Sequence, residues 1–295
     1  MNMLAASVVI VAKGDLRVLR TIEALRRQNL PRDQYEIILV ENGSDELGKL
    51  VSPDIIFHQL SAANMSAARN IGLNLAIGEF VLFTDADCIP ENQWISSAIA
   101  ALKGGKYAAV GGKIERFAPT TAVQRFGSNI VNGQRTLSYL PALHLPYVAA
   151  ANAGFRRSVL LDVGGFDELL LSGNDVDVCY KIGLRGFSIG IASNAIVLHD
   201  NRATVGNHFK RFYNYARFQV LLFKKYKTIS HKLFVFNTYP WRLAVTAIIA
   251  LPIGLALLTV GKPDVVYRSF FSMIEAIGVL CGDIQGSFEF GEVYI

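Results

Sequence analysis

Glu79-Phe-Val-Leu-Phe-Thr-Asp-Ala-Asp87 is the stretch that decides how this chain folds. Four of the five residues from Phe80 to Thr84 are apolar or aromatic, and such a run reads as a strand buried on both faces. Two carboxylates, Asp85 and Asp87, follow at its end, where open α/β sheets bind their ligands. Mg²⁺ and Mn²⁺ take hard oxygen ligands, often one or two carboxylates together with substrate phosphates. The pair therefore suits a cation that holds a diphosphate. Asp is also a common turn residue and helix cap, and Pro90-Glu91 just downstream reads as a helix start. Alone, the two aspartates leave both readings open.

Towards the N-terminus the same pattern repeats. Ser7-Val-Val-Ile-Val11 is a β-branched run, and Asp15 is expected to cap a helix with Leu16, Leu19, Ile22 and Leu25 at its apolar positions before Pro31 stops it. Glu36-Ile-Ile-Leu-Val40 reads as a second strand ending in Glu41-Asn-Gly-Ser-Asp45. Ile55 to Leu60 reads as a third strand, and Met65 to Ile77 as a helix with Ala67, Ala68, Ile71 and Leu75 on one side. Strands alternating with helices predict a mostly parallel sheet covered on both faces. Val110-Gly-Gly-Lys113 and Pro119 to Pro146 carry turn residues and weak periodicity, as in a cleft-forming region. Helices are expected again from Arg156 to Val163 and from Asp175 to Leu184, and strand-like runs from Phe187 lead to His199.

The 295 residues are 52% hydrophobic with a mean hydropathy of +0.32, high for a freely soluble protein. The net charge of +5 gathers on a late segment, which suits anionic lipid and not nucleic acid. Cys88, Cys179 and Cys281 lack metal-ligand spacing and fit a reducing compartment, with burial as their role. Met1 to Ala12 has no basic start and reads as the first core strand. From Asn207 to Lys227, Phe209, Phe212, Tyr213, Ala216, Val220 and Phe223 form one helical stripe; Lys210, Arg211, Asn214, Arg217, Lys224 and Lys225 form another. Such a helix can lie on an anionic membrane, and a domain-packing helix with a solvated face carries the same two stripes. Leu243 to Val260 has 18 residues without a charge, about 27 Å of helix and enough to span a bilayer. Pro252 and Gly254 leave a re-entrant insertion open beside a single pass. Val265 to Cys281, with Arg268, Ser272 and Glu275 on one face, reads as an interfacial helix. Basic residues are denser before the apolar segment, which puts the first 240 residues on the cytoplasmic face of the membrane.

The polar loop ends form a set: Lys13-Gly-Asp15, Glu41-Asn-Gly-Ser44, Asn64 with Arg69, and Asp85-Ala-Asp87. Together they look like a nucleotide-diphosphate site. With Ser7-Val-Val-Ile, Ala67-Ala-Arg-Asn-Ile-Gly72, Gly164-Gly-Phe-Asp-Glu168 and Asn174-Asp-Val-Asp177 in the same order, the chain resembles the inverting family 2 glycosyltransferases over residues 5 to 200. The resemblance implies the GT-A fold: a Rossmann-like, mixed and mostly parallel sheet with helices on both faces. On it, residues 1–112 would form the nucleotide-sugar half, 113–205 the acceptor half, 206–238 a basic helical segment and 239–295 a membrane-associated region.

The resemblance also implies a reaction. One sugar would pass from a nucleotide-diphosphate donor to a hydroxyl of a saccharide or lipid-linked acceptor, with Mn²⁺ or Mg²⁺ assisting. Asp87 matches the direct metal ligand, Asp85 the ribose or metal shell, His199 a metal-binding histidine and Asp175 the general base. Lys13, Glu41, Asn42, Asn64 and Arg69 match the donor-binding set. Three positions depart from the family pattern: Glu41-Asn42 replaces an acidic pair, Lys13-Gly14 replaces a Pro-Thr-Tyr-Asn type of loop, and Asn174 stands where an acid precedes the base. No Gln-Xaa-Xaa-Arg-Trp follows residue 200, which argues for single-sugar transfer over processive synthesis. A nucleotidyltransferase would need a basic, Gly-rich first loop beyond Lys13-Gly14, and an oxidoreductase a Gly-Xaa-Gly-Xaa-Xaa-Gly that is missing after the first strand. A non-catalytic membrane scaffold on the same fold would tolerate Asn42 and Asn174.

Overall fold

The computed structural model describes residues 4–127, 138–139, 146–201, 204–230, 236–261 and 263–294. They fall into two units: Met1–Phe117 with Asn132–Leu140 and His144–Asp200, and Ala118–Val131 with Pro141–Leu143 and Asn201–Ile295. In the first unit, strands β1 (Ala6–Ala12), β2 (Tyr35–Asn42), β3 (Ile56–Leu60) and β4 (Phe80–Asp85) pair in parallel in the order β3-β2-β1-β4. Helices α1 (Val18–Arg26), α2 (Met65–Leu75) and α3 (Trp94–Lys103) cover them. All seven residues of β1 are buried, as a strand covered on both faces requires. Alternate residues of these strands feed two separate cores. Val8, Ile10, Ile37 and Leu82 pack with Ile22 of α1 and Trp94 of α3, while Val9, Val11, Ile38 and Phe83 pack with Ala68 and Leu73 of α2.

The remaining strands make the sheet mixed. These are β5 (Cys88–Pro90), β6 (Ala109–Arg116), β9 (Asn152–Arg156) and β10 (Ile189–His199), with β7 (Ser138–Tyr139) and β8 (Pro146–Tyr147) as a separate antiparallel pair. The full order is β3-β2-β1-β4-β9-β6-β10-β5. Strand β9 runs antiparallel to both β4 and β6, and β5 runs antiparallel to β10. Helix α4 (Ala122–Phe126) lies in the second unit, and α5 (Arg157–Asp162) and α6 (Asn174–Leu184) in the first.

Four local expectations change. Val110-Gly-Gly-Lys113 is not a turn: it lies inside β6, and β10 bulges beside it between Ala192 and Ile196. A Cβ at Gly112 would collide with the Ala195 carbonyl and the Asn152 side chain, so this glycine serves a close approach within the sheet. Helix α1 begins at Val18, because the Asp15 side chain accepts from the Arg17 backbone at 3.0 Å and holds a turn first. Its buried side is Val18, Thr21, Ile22 and Leu25, leaving Leu16 and Leu19 exposed. Pro90 ends the edge strand β5, and α3 starts four residues later at Trp94. In α2 the buried face is Ser66, Ala68, Arg69, Gly72 and Leu73, rotated from the expected alanine stripe so that an arginine points inward. Of the irregular region expected from Pro119 to Pro146, residues 128–137 and 140–145 lie outside the described ones.

The second unit is built on α7 (Val205–Ser230), α8 (Thr238–Leu258) and α9 (Asp264–Phe290). Gly278, Gly282 and Gly286 of α9 are spaced by four and meet the backbone of α7 at Phe209, Tyr213 and Arg217. Small residues at this spacing let two helix backbones approach closely. The basic stripe of α7 is partly spent on α9: Arg217 makes a bidentate pair with Glu289 at 2.6 and 2.7 Å, and Lys224 bonds the Phe290 carbonyl at 2.6 Å. The packing-helix alternative therefore describes these residues. Helices α8 and α9 are both long and apolar enough to cross a membrane. Gly282→Val would push the α7 and α9 backbones apart. The expected cost is about 1–3 kcal/mol of stability, measurable as a lowered midpoint in denaturant unfolding.

Candidate active site

The turn after β4 is held from beneath. The buried Thr21 hydroxyl of α1 lies 3.0 Å from the Ala86 carbonyl and 2.6 Å from that of Cys88, fixing the backbone on either side of Asp87. Strand β5 then pairs with β10 so that Cys88 stands opposite His199, and the Asp200 backbone donates to the Asp87 carbonyl at 2.8 Å. The result brings Asp87 Oδ1 to 3.6 Å from His199 Nε2. That separation is too long for a hydrogen bond. It lies between the about 3.0 and about 4.2 Å expected of adjacent and opposite donors on one cation with bonds of about 2.1 Å, so the pair fits a shared divalent ion. Burial raises the Asp87 carboxyl above the usual range and Asp85 adds to the effect, while His199 opposes it. A cation would relieve that strain.

Among the described residues, Cys88 completes a group with Asp87 and His199 whose donor atoms lie within 4.8 Å of one another. Burial and the adjacent carboxylates push its thiol well above the usual range. A buried neutral thiol is a poor ligand for a hard cation, so Cys88 belongs to the core.

Asp85 turns the other way. Its Oδ1 lies 3.4 Å from Nη2 of Arg69, whose Nη1 donates to Asn174 Oδ1 and whose guanidinium stands 5.6 Å from the centroid of the Phe166 ring. Asn174 in turn donates to Ser66 Oγ at 2.9 Å. Next to it, Asp175 occupies the first turn of α6, which Gly173 enters with φ +72°, a left-handed conformation that favours glycine. Asp175 Oδ2 accepts from the Ala150 backbone at 3.2 Å and Oδ1 from that of Val176 at 3.0 Å. The Thr84 hydroxyl donates to the Ala151 carbonyl at 3.1 Å. Two separate connections thus run from the end of β4 to the start of α6.

A family model described as glycosyl transferase family 2 matches residues 7–164. The chain belongs to that family. Among curated relatives, a pre-mycofactocin glycosyltransferase of Mycobacterium tuberculosis is 30% identical over 211 residues, covering 68% of this chain and 43% of the relative. Glycosyltransferase AglE of Haloferax volcanii is 28% identical over 193 residues, covering 62% of each. The chain thus spans less than two thirds of the length of either. A mannosyltransferase from Pyrobaculum calidifontis, solved in complex with GDP-Man and Mn²⁺, has a TM-score of 0.60 at 18% identity, covering 96% of this chain and 88% of that chain. The shared architecture is the GT-A fold.

The residues matched to the family's donor-binding set sit on the β1 and β2 side. Glu41 is fully buried, and its carboxylate accepts from Ser44 Oγ at 2.5 Å and from the Glu46 and Leu47 backbones at 3.2 and 3.1 Å. Its bonds organise the loop after β2. Asn42 Oδ1 accepts from the Asn64 backbone at 2.7 Å, and Asn64 caps α2 by accepting from Ser66 and Ala67. Lys13 is exposed at the end of β1. Asp177, by contrast, is wholly buried and pairs with Lys181 at 3.3 Å, which places it in the packing of α6.

Sequence reasoning missed Arg17, Arg20 and Asp200. Arg17 makes a bidentate contact with Asp15, lies 3.5 Å from Asp87 Oδ2, and donates to the Asp200 carbonyl at 2.9 Å. Arg20 holds the Asp200 carboxylate at 2.8 Å. The hydrogen bond from Arg17 lowers the Asp15 carboxyl. The available signals were Asp15-Leu-Arg17 straight after a strand and an acid directly after His199. Glu41→Ala would leave the Leu47 and Glu46 backbones without their buried acceptor. It is expected to cost about 1–3 kcal/mol and to speed hydrogen exchange at Leu47, read by mass spectrometry.

Proposed function

We propose that this chain is an inverting, metal-assisted glycosyltransferase that moves one sugar from a nucleotide-diphosphate donor to an acceptor hydroxyl. The observation that carries the reading is the Asp87–His199 pair beyond β4, with Asp85 on the same strand end joined through Arg69 to Asn174, the neighbour of Asp175, whose carboxylate accepts from Ala150. Inverting transfer needs a stabilised leaving group, a base and in-line geometry. A divalent cation, Mn²⁺ or Mg²⁺, held by Asp87 and His199 would act as Lewis acid on the diphosphate. Arg69 adds a fixed guanidinium beside it, since Asn174 and Phe166 hold that side chain in place. Asp85 keeps Arg69 aimed and faces the ribose or the outer shell of the ion. Asn42 and Asn64 shape the donor side, Glu41 acts through its loop, and Lys13 is free to meet a phosphate.

On the acceptor side, Asp175 is the base. The Ala150 and Val176 amides each occupy one lone pair of its oxygens, leaving further lone pairs for the acceptor hydroxyl. The acceptor oxygen forms the new bond to the anomeric carbon as the bond to the diphosphate breaks. The leaving electron pair stays on the nucleoside diphosphate, and the hydroxyl proton ends on Asp175. A rigid carboxylate at a helix start suits this role.

The acceptor is a saccharide or lipid-linked precursor met at the cytoplasmic face of a membrane, with α8 as the anchor. Val245, Ile248, Ile249, Ile253, Leu255 and Leu258 are all exposed, and at about 100° per residue they sweep about 220° of the helix circumference. A protein partner covers one face; lipid covers such an arc. Exposed Tyr239 and Trp241, followed by Arg242, stand at the start of the helix, as interfacial anchors do.

Release of nucleoside diphosphate from UDP-, GDP- and dTDP-sugars in the presence of Mn²⁺ and membrane extract tests the reaction. Asp87→Ala is expected to lower the rate by about 10²–10³-fold and Asp175→Asn by about 10²–10⁴-fold, mostly in kcat. No turnover across the panel would sink the transferase reading, and an unaltered Asp175→Asn rate would remove the base assignment. For the anchor, Ile249→Lys together with Ile253→Lys places two charges in the apolar arc at about 2.5–3.5 kcal/mol each. The double variant is expected in the soluble fraction after lysis, and retention in the membrane fraction would count against α8.

A further inference from the structure

Three carboxylates converge on one guanidinium at the end of β1. Arg17 holds Asp15 through Nε at 3.0 Å and Nη2 at 2.7 Å, reaches the Asp200 carbonyl through Nη1 at 2.9 Å, and lies 3.5 Å from Asp87 Oδ2. Asp87 therefore faces two ways, with Oδ1 towards His199 Nε2 at 3.6 Å and Oδ2 towards Arg17. The arginine cannot swing aside freely. Its carboxylate partner Asp15 lies three residues beyond the end of β1, and Asp200 is gripped from the other side by Arg20 at 2.8 Å and bonded through its own backbone to the Asp87 carbonyl. A guanidinium stays charged at any working pH.

We infer that Arg17 makes cation capture at Asp87 and His199 conditional on the donor's diphosphate, an inference that rests on the metal-assisted reading above. A divalent ion between Asp87 and His199 would sit a few ångströms from a fixed positive charge. Coulomb repulsion from that one charge at about 5 Å weakens the ion's binding by about tenfold even at the dielectric of water, an effect that Asp15, paired with the same guanidinium at 2.7 Å, offsets in part. The same arginine draws one Asp87 oxygen towards itself. A nucleoside diphosphate reverses the balance, because its negative charges are attracted by the ion and by Arg17 together. The cation then binds well with the donor and poorly without it. After transfer, departure of the nucleoside diphosphate restores the repulsion and helps the ion to leave. Arg17 is in this sense a positioning residue: it acts on the cation through Asp87 and through charge.

Mn²⁺ binding to the full chain, followed by electron paramagnetic resonance with and without saturating UDP, GDP or dTDP, tests this apart from turnover. Wild-type affinity is expected to rise about tenfold or more when the matching nucleoside diphosphate is present. Arg17→Gln is expected to bind Mn²⁺ about tenfold tighter than wild type without nucleotide, with the nucleotide effect shrunken to match, while Arg17→Lys keeps the wild-type dependence. Asp15→Asn frees Arg17 from its main partner without removing the charge, so its nucleotide-free Mn²⁺ affinity should fall below wild type. This variant and Arg17→Lys decide the matter if Arg17→Gln does not fold. Equal nucleotide-free affinity of wild type and Arg17→Gln, or wild-type affinity indifferent to nucleotide, overturns the role of Arg17 and leaves the metal site standing. Mn²⁺ binding that is absent throughout, or unchanged in Asp87→Ala, overturns the metal site itself and this inference with it.

Discussion

A buried arginine sets the terms for the catalytic unit. Arg69 is only 7% exposed, and a guanidinium out of water is tolerable only when its donors are matched. Its match comes from two distant parts of the chain, Asp85 at the end of β4 and Asn174 at the start of α6. Satisfying Arg69 therefore fixes where β4 ends and α6 begins relative to each other. The rest of α2 serves that end. Asn64 caps it, and Gly72, against Val9, lets the helix lie close on β1. Asn174 also matters as an amide. Unlike an acid, it satisfies the arginine's geometry without cancelling its charge, so among the described residues Arg69 has a single carboxylate partner, Asp85.

What the sequence made legible follows its physical signals. Strands β1, β2 and β4 are continuous apolar runs, and their order and polar ends could be read directly. Strands β6 and β9 could not. Their interiors hold glycines, Gly112 and Gly154, that look like turn residues but are demanded by neighbours, the Ala195 carbonyl in one case and the Leu82 side chain in the other. Asp87, His199 and Asp175 stood out because short motifs surround them. Arg17 did not, because its meaning lies in a contact with Asp200, 183 residues away. Local pattern reveals elements and loop ends; the charge network between loop ends exists only after the sheet has brought them together.

In the second unit, polar side chains fix an otherwise greasy packing. Asn237 caps α8 and donates to buried Asp283 of α9 at 2.8 Å, while the Tyr239 hydroxyl bonds Glu275. Apolar surfaces slide; a buried amide–carboxylate pair admits one register. The three glycines of α9 do the same for α7 by shape. The unit thus leaves the apolar surface of α8 exposed while α9 is held against both neighbours.

The antiparallel insertion of β9 has a consequence for how the protein is made. Strands β1 to β3 pair with near neighbours in sequence and can close early, since local contacts cost little chain entropy, and β4 joins β1 across the helix α2. The outer edge of β4 then waits for residues 152–156, and β5 has no partner until β10 is complete. His199 and Asp200 lie at the very end of that last strand. On the ribosome the acidic turn after β4 is thus synthesised more than a hundred residues before the side chains that clamp it, and the site is finished last, at the moment the sheet is sealed.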